Sequence, residues 1–171
     1  MLIQNIINYN LFIFCEGYRL KKTKVRPTAN IVKQAIFNIL YDVSGKRFLD
    51  VFAGTGRVGF EALKKGAEEV VFVEKDKQVC FSLKEIAKKY DKNVKIVCSD
   101  ALSFLKKNKQ KFDVIFADPP YDFKAYDKLI NLAVSNLNKG GVFILEHRKE
   151  KDFDADEKRI YGETAISFWR R

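Results

Sequence analysis

The chain has 171 residues, of which 47% are hydrophobic and 32% charged, with 9 Gly and 3 Pro. That length supports one well-buried core, and the composition excludes the disordered and collagen-like classes. Lys and Arg number 32 against 22 for Asp and Glu, a formal charge of +10, which favours a polyanionic partner, nucleic acid ahead of an anionic membrane; a merely solvated surface would show the same excess, so the motifs must decide.

Residues 2–14 are apolar but broken by Gln4, Asn5, Asn8 and Asn10, with no basic residue ahead and no small-residue cleavage site behind. They read as an edge strand or an extension, not as a signal peptide or a bilayer span. We expect residues 1–15 to be an N-terminal extension and 16–171 a single domain, with 16–46 as its basic segment and first helix. Arg19, Lys21, Lys22, Lys24 and Arg26 crowd together before Pro27, and Thr28 then caps a helix to Tyr41 whose inner face is Ile31, Val32, Ala35, Ile36, Ile39 and Leu40. Next come strands at 47–52, 69–74, 94–98, 112–117 and 142–146, several apolar on consecutive positions, as strands buried on both faces are. Between them, 58–65, 77–90, 101–107 and 124–137 carry apolar residues at helical spacing, and Gly140-Gly141 is expected to stop the last of these. At the end, 158–161 and 164–169 around Gly162-Glu163 form a hairpin that adds antiparallel strands to one sheet edge.

This alternation predicts an α/β fold, Rossmann-like, with a mostly parallel central sheet, helices on both faces and a C-terminal antiparallel hairpin. Ligands in such folds bind at the carboxyl ends of the strands. Cys15, Cys80 and Cys98 are odd in number and lack C-x-x-C spacing, which predicts reduced thiols in a cytoplasmic protein and no zinc site.

Four strand ends carry candidate chemistry. Asp50-Val51-Phe52-Ala53-Gly54-Thr55-Gly56 closes the first strand and opens a helix. Glycines there let backbone approach a ligand, and free amides at a helix start attract electronegative atoms. Gly54, Gly56 and Gly59 also satisfy G-x-G-x-x-G, so the loop alone suits a dinucleotide equally, or is a tight turn without a ligand. Glu74 ends the second strand, where a carboxylate accepts from both hydroxyls of a ribose. Asp100 precedes Ala101 at the next strand end; it suits the amine of an adenine ring, with the Ala101 amide also available, and it is equally a helix cap.

Asp118-Pro119-Pro120-Tyr121 follows the strand placed beside the first. Two prolines remove two amide donors and hold the chain extended, so the Asp118 carboxylate and the Pro119 carbonyl present acceptors without a competing donor. A nucleobase amine is a poor nucleophile because its lone pair is delocalised into the ring. Two acceptors on its hydrogens aim that lone pair at an electrophile, and Tyr121 offers a face for an extruded base.

Together these residues resemble an S-adenosylmethionine-dependent amino-methyltransferase of the Rossmann type. Arg26-Pro27-Thr28 with residues 32–38, Phe60-Glu61-Ala62-Leu63 with Gly66-Ala67, and the tail segments 159–162 and 164–168 narrow the resemblance to the RsmD family, which methylates the guanine 2-amino group in small-subunit (16S) ribosomal RNA. The resemblance implies that Asp50, Ala53, Gly54, Thr55 and Gly56 cradle the methionine part of S-adenosylmethionine, that Glu74 holds its ribose, and that Asp100 and Ala101 address its adenine. It further implies that Asp118, Pro119 and Tyr121 hold the guanine beside Pro120. Arg26 and Thr28 would lie over the site, with Arg19, Lys21, Lys22 and Lys24 on RNA phosphates.

Implied partners are ribosomal RNA or the assembling small subunit, with no membrane, no metal and a monomeric, cytoplasmic enzyme. Rival readings are a DNA or RNA adenine amino-methyltransferase, a dinucleotide oxidoreductase, which leaves Asp118 to Tyr121 unused, and a non-catalytic RNA-binding assembly factor. His147, the single histidine, lies beside Arg148 and Lys149 and is expected at a surface or backbone-bonded position rather than as a base.

Overall fold

The computed structural model describes residues 27–90 and 93–171, with side-chain surroundings from Asn30 onward. Arg19, Lys21, Lys22, Lys24 and Arg26, the extension 1–15 and the side chain of Thr28 lie outside the described residues. The elements run α1 (Pro27–Leu40), β1 (Arg47–Val51), α2 (Arg57–Lys64), β2 (Glu69–Glu74), α3 (Lys77–Ala87), β3 (Asn93–Cys98), α4 (Ala101–Lys107), β4 (Phe112–Ala117), α5 (Tyr126–Ser135), β5 (Leu137–Arg148), β6 (Glu157–Tyr161) and β7 (Thr164–Arg170).

Seven strands form one sheet in the order β3-β2-β1-β4-β5-β7-β6. The first five are parallel; β7 pairs antiparallel with both β5 and β6, so the expected hairpin forms that edge. Alternate residues of each central strand feed opposite cores, as the period of two requires. Phe48, Val70, Phe72, Val114 and Phe116 pack under α1, α2 and α3 with Ile36, Leu63 and Leu83. Leu49, Val51, Val71, Val73 and Ile115 face α4 and α5 with Leu105, Leu129 and Ala133. The strand order reverses between β1 and β4, so the crossovers leave the sheet in opposite directions there and a crevice opens at their carboxyl ends.

Several sequence expectations are corrected. The first helix runs Pro27–Leu40, so Thr28 lies within its first turn rather than capping it, and Tyr41 lies beyond its end. The last helix does not reach residue 137, and Gly140-Gly141 does not end it. The helix closes at Ser135, and Leu137 already pairs with Phe112 in β5. Asn136 ends it, because its side-chain amide donates to the carbonyls of Leu132 and Leu105, at 2.8 and 3.0 Å. The two glycines sit inside β5 at a register shift, and a Cβ on Gly141 would lie 3.0–3.1 Å from the carbonyl oxygens of Asn138, Asp113 and Phe112. They permit a bulge rather than a stop.

The cysteines are likewise not all free. Cys80 of α3 and Cys98 at the end of β3 are joined as a disulfide, with Cα atoms 6.0 Å apart. The β2-α3-β3 crossover folds these residues together although they lie 18 apart in sequence, a proximity that spacing rules for local motifs do not register.

Candidate functional site

Each of the five parallel strands brings an acidic residue to the carboxyl end of the sheet: Asp50 on β1, Glu74 on β2, Asp100 after β3, Asp118 after β4 and Glu146 on β5. β1 and β4 are in register, with Val51 opposite Ala117; β4 and β5 continue it, with Ala117 opposite Leu145. Asp118, the first residue past β4, and Glu146, where β5 runs on beyond its pairing with β4 to Arg148, therefore stand side by side, next to the loop that follows Val51. A cavity of about 200 Å³ opens there, lined by Val32, Lys33, Asp50, Phe52, Ala53, Gly54, Thr55, Arg57, Val58, Phe116, Asp118 and Glu146. Pockets that enclose a drug-sized ligand run to roughly 300–1,000 Å³, so this one suits the reacting ends of larger molecules lying in an open cleft.

The loop after β1 is shaped by backbone geometry. Phe52 takes φ 63°, a left-handed conformation that is rare for a bulky residue, and its ring meets that of Phe123 edge-on at 5.3 Å. Gly54 follows at φ 51°, with nothing nearer than the Phe52 carbonyl oxygen at 3.9 Å from where a Cβ would stand. Gly56 does not line the cavity. It supplies the turn into α2 at φ 72°, and a Cβ there would lie 2.7 Å from both Leu83 and Phe60. Gly59 is the packing glycine of the motif: its amide donates to Asp50 Oδ2 at 2.9 Å, and an added Cβ would lie 2.3 Å from the Phe72 ring.

Asp50 is buried at 2% exposure. Burial pushes its carboxyl up to about 8, opposed by the Gly59 amide and reinforced by the charges of Asp118 and Glu74. Glu74 caps β2 outside the cavity and anchors the glycine loop: Oε2 accepts from the Gly54 amide at 3.0 Å, while Oε1 accepts from the amides of Lys75 and Asp76. Three of its roughly four acceptor positions are thereby used, leaving one for a ligand hydroxyl. Asp100 is the N-cap of α4, accepting from the Ser103 amide at 2.8 Å, and that bond leads the causes that hold its carboxyl below the ordinary range. Ala101 is buried behind it.

Asp118 projects into the cleft, reached by water and walled by protein; burial raises its carboxyl and Arg57 draws it back down. Glu146 is raised too, by burial first and then by Asp118, again against Arg57. Pro119 is buried and Pro120 exposed; the Pro120 carbonyl accepts from the Phe123 amide at 2.9 Å, and among the described residues no bond reaches the Pro119 carbonyl. Tyr121 does not line the cavity. It is 67% exposed, with the Arg148 guanidinium 4.6 Å over one face of its ring. His147 is backbone-bonded as expected, through Nδ1 and the Arg148 carbonyl, but it is buried rather than at the surface, with Nε2 on the Ser167 hydroxyl and burial lowering its pKa.

The sequence reading thus places Asp50, Ala53, Gly54, Thr55 and Asp118 together, with Glu74 and Asp100 one and two strands along. It missed Lys33, Arg57 and Glu146. Glu146 closes the strand expected at 142–146, but no motif surrounds it, and its place beside Asp118 follows only from the pairing of β4 with β5. The residues present fit the cofactor that the resemblance implies: a loop with space above Gly54, a spare acceptor on Glu74 and a capped carboxylate at Asp100 lie along one edge of the sheet.

Known proteins resemble this chain in sequence and fold. The family model described as Conserved hypothetical protein 95 matches residues 17–170. The ribosomal RNA small subunit methyltransferase D of Haemophilus influenzae is 36% identical over 140 residues, covering 77% of this chain and 72% of that protein. A hypothetical protein of Thermus thermophilus superposes with a TM-score of 0.75 at 32% identity, covering 90% of this chain and 93% of its own. The 16S rRNA N2 methyltransferase RsmC of Thermus thermophilus, solved in complex with AdoMet and guanosine, superposes with a TM-score of 0.74 at 25% identity, over 89% of this chain and 45% of its own. With a family match over residues 17–170 and a well-covered relative, the chain belongs to the Conserved hypothetical protein 95 family, the RsmD family of Rossmann-like methyltransferases.

Proposed function

We propose that this protein transfers a methyl group from S-adenosylmethionine to the exocyclic 2-amino group of a guanine in 16S ribosomal RNA. The observation that carries the reading is the junction of two features in one cavity: the glycine turn after β1, with space above Gly54, and the acceptor Asp118 directly beside it on β4. When bound, S-adenosylmethionine supplies an electrophilic methyl on a sulfonium. Ala53, Gly54 and Thr55 hold its amino-acid end beside Asp50, Glu74 its ribose, and Asp100 with Ala101 its adenine. Asp118 and the Pro119 carbonyl take the two hydrogens of the guanine amine and turn its lone pair toward the cofactor, so the protein's main contribution is alignment. Asp118, raised above the ordinary carboxylate range and still mostly ionised at neutral pH, is suited to spread the positive charge that develops on the amine.

Tyr121 stacks on the extruded base or its neighbour, next to Pro120. Arg19, Lys21, Lys22, Lys24, Arg26 and Thr28 contact RNA backbone, which orders affinity without sequence choice. The ribosomal substrate places the enzyme in the cytoplasm, acting as a monomer; among the described residues no helix is long and apolar enough to cross a membrane. The test is labelling of small ribosomal subunits, purified from a strain lacking the gene, with methyl-tritiated S-adenosylmethionine and the protein, followed by nucleoside separation. Label in N2-methylguanosine is expected; label in N6-methyladenosine instead would assign the rival amino-methyltransferase, and no label would remove the reading.

A further inference from the structure

Asp118 alone does not explain why the base should be guanine, because an adenine amine suits the same two acceptors. The difference lies one atom further along the ring. Beside its amine, guanine presents N1–H, a donor, and then O6, an acceptor; adenine presents N1 as an acceptor and then a bare C–H. A guanine pocket therefore needs, next to Asp118, a group that accepts and donates at once.

Glu146 stands in that place. It follows Leu145, the register partner of Ala117, so it comes level with Asp118 on the neighbouring strand, held within β5 by its pairing with Ile166 of β7, and it lines the same cavity. Among the described residues no hydrogen bond reaches its carboxyl. The other charged or titratable groups lining the cavity are Asp118 after β4, Asp50 of β1, Arg57 of α2 and Lys33 of α1, of which Asp118 and Arg57 act on it most directly. With three carboxyls in one walled cleft, full ionisation is unfavourable, and the proton settles on the groups held furthest from water. Glu146 is raised further than Asp118. At neutral pH this divides the labour: Asp118 is an ionised acceptor for the amine, and Glu146 a protonated acid able both to accept and to donate.

Resting on the function proposed above, we propose that Glu146 is the residue that selects guanine: one carboxyl oxygen accepts from guanine N1–H while the other donates its proton to O6. Adenine at Asp118 would satisfy only one of these two bonds. No proton is transferred in this contact; it is a positioning contact that orients the ring carrying the reacting amine.

The test uses protein loaded with S-adenosylhomocysteine and two nucleosides, guanosine and 2-aminopurine riboside. The second keeps the 2-amino group but has an N1 acceptor and no O6. Wild type is expected to bind guanosine about tenfold or more tightly than 2-aminopurine riboside, the scale of one or two net hydrogen bonds. Glu146→Ala should bind both alike. Glu146→Gln, whose amide accepts and donates in the same pattern, should restore most of the preference and hold its guanosine affinity above about pH 8, where wild-type guanosine affinity falls because an ionised Glu146 no longer donates to O6. S-adenosylhomocysteine affinity, unchanged in both variants, serves as the check on folding. The proposal is overturned if wild type shows no saturable guanosine binding or no preference, if Glu146→Ala keeps the preference, or if Glu146→Gln behaves as Glu146→Ala. Subunit labelling run in parallel separates the two levels: labelled N2-methylguanosine with no nucleoside preference removes the Glu146 assignment alone, whereas absence of labelling removes the function on which it rests and the assignment with it.

Discussion

The sharpest residue-scale consequence concerns Asp50. Its carboxyl titrates near 8 in the folded protein against 3.8 as the reference value, so across that window the native state binds more protons than the unfolded chain. Stability is then greatest below the unfolded value and declines as pH rises through the folded one. Asp50→Asn removes this titration and keeps an oxygen for the Gly59 amide. Urea midpoints at about pH 4, 6 and 8 should show wild type losing ground to the variant steadily as pH rises; a constant difference between the two proteins would contradict the burial argument. Asp118 and Glu146 shift in the same direction and are present in both proteins, so their own burial contributions cancel in the comparison, whereas the repulsion between Asp118 and Asp50 is lost with Asp50 and belongs to the difference measured. A buried carboxylate that weakens the fold at working pH and lies against the glycine turn is the kind of local inconsistency expected where function, not packing, has set the residue.

Among the elements, the joint between α2 and β2 bears on both fold and site. Gly59 lets the helix start approach closely enough for its amide to reach Asp50, and a Cβ there would lie 2.3 Å from the Phe72 ring. Gly59→Ala should therefore cost about 1–3 kcal/mol by overpacking, read as a lower denaturant midpoint at unchanged slope. No loss would mean that the Phe72 ring yields freely. Element positions were largely legible in the sequence, because continuous apolar runs such as 69–74 and 112–117 have no other stable use than strands buried on both faces. The first half of β5 was not. Residues 137–141 carry two glycines and polar neighbours, and only pairing of Leu137 with Phe112 makes them strand. The site was legible where a local motif announced it, as at Asp50 to Gly56 and Asp118 to Tyr121. Lys33, Arg57 and Glu146 enter it through tertiary placement, which no spacing rule encodes, and the Cys80–Cys98 pair escaped for the same reason.

On the scale of the whole molecule, the excess of 10 positive charges and the basic cluster ahead of Pro27 make RNA affinity a salt-dependent quantity. Replacing Arg19, Lys21, Lys22, Lys24 and Arg26 by Gln should lower the slope of log affinity against log salt by roughly 0.7–0.9 for each phosphate that is no longer neutralised. It should leave S-adenosylhomocysteine binding alone. Filter binding of small subunits across a salt series measures this; a parallel line of equal slope would take the segment out of the interface.

Central to the proposed activity is one geometric claim, that the crevice between β1 and β4 holds the methyl donor on the glycine turn and the acceptor amine at Asp118. Single-turnover methyl transfer to undermethylated small subunits by Asp118→Ala, saturated with S-adenosylmethionine, tests it most directly. The rate should fall by about 10² or more, while calorimetry finds S-adenosylhomocysteine affinity within a few-fold of wild type. Transfer at close to the wild-type rate would contradict the claim, since the amine would then be held elsewhere.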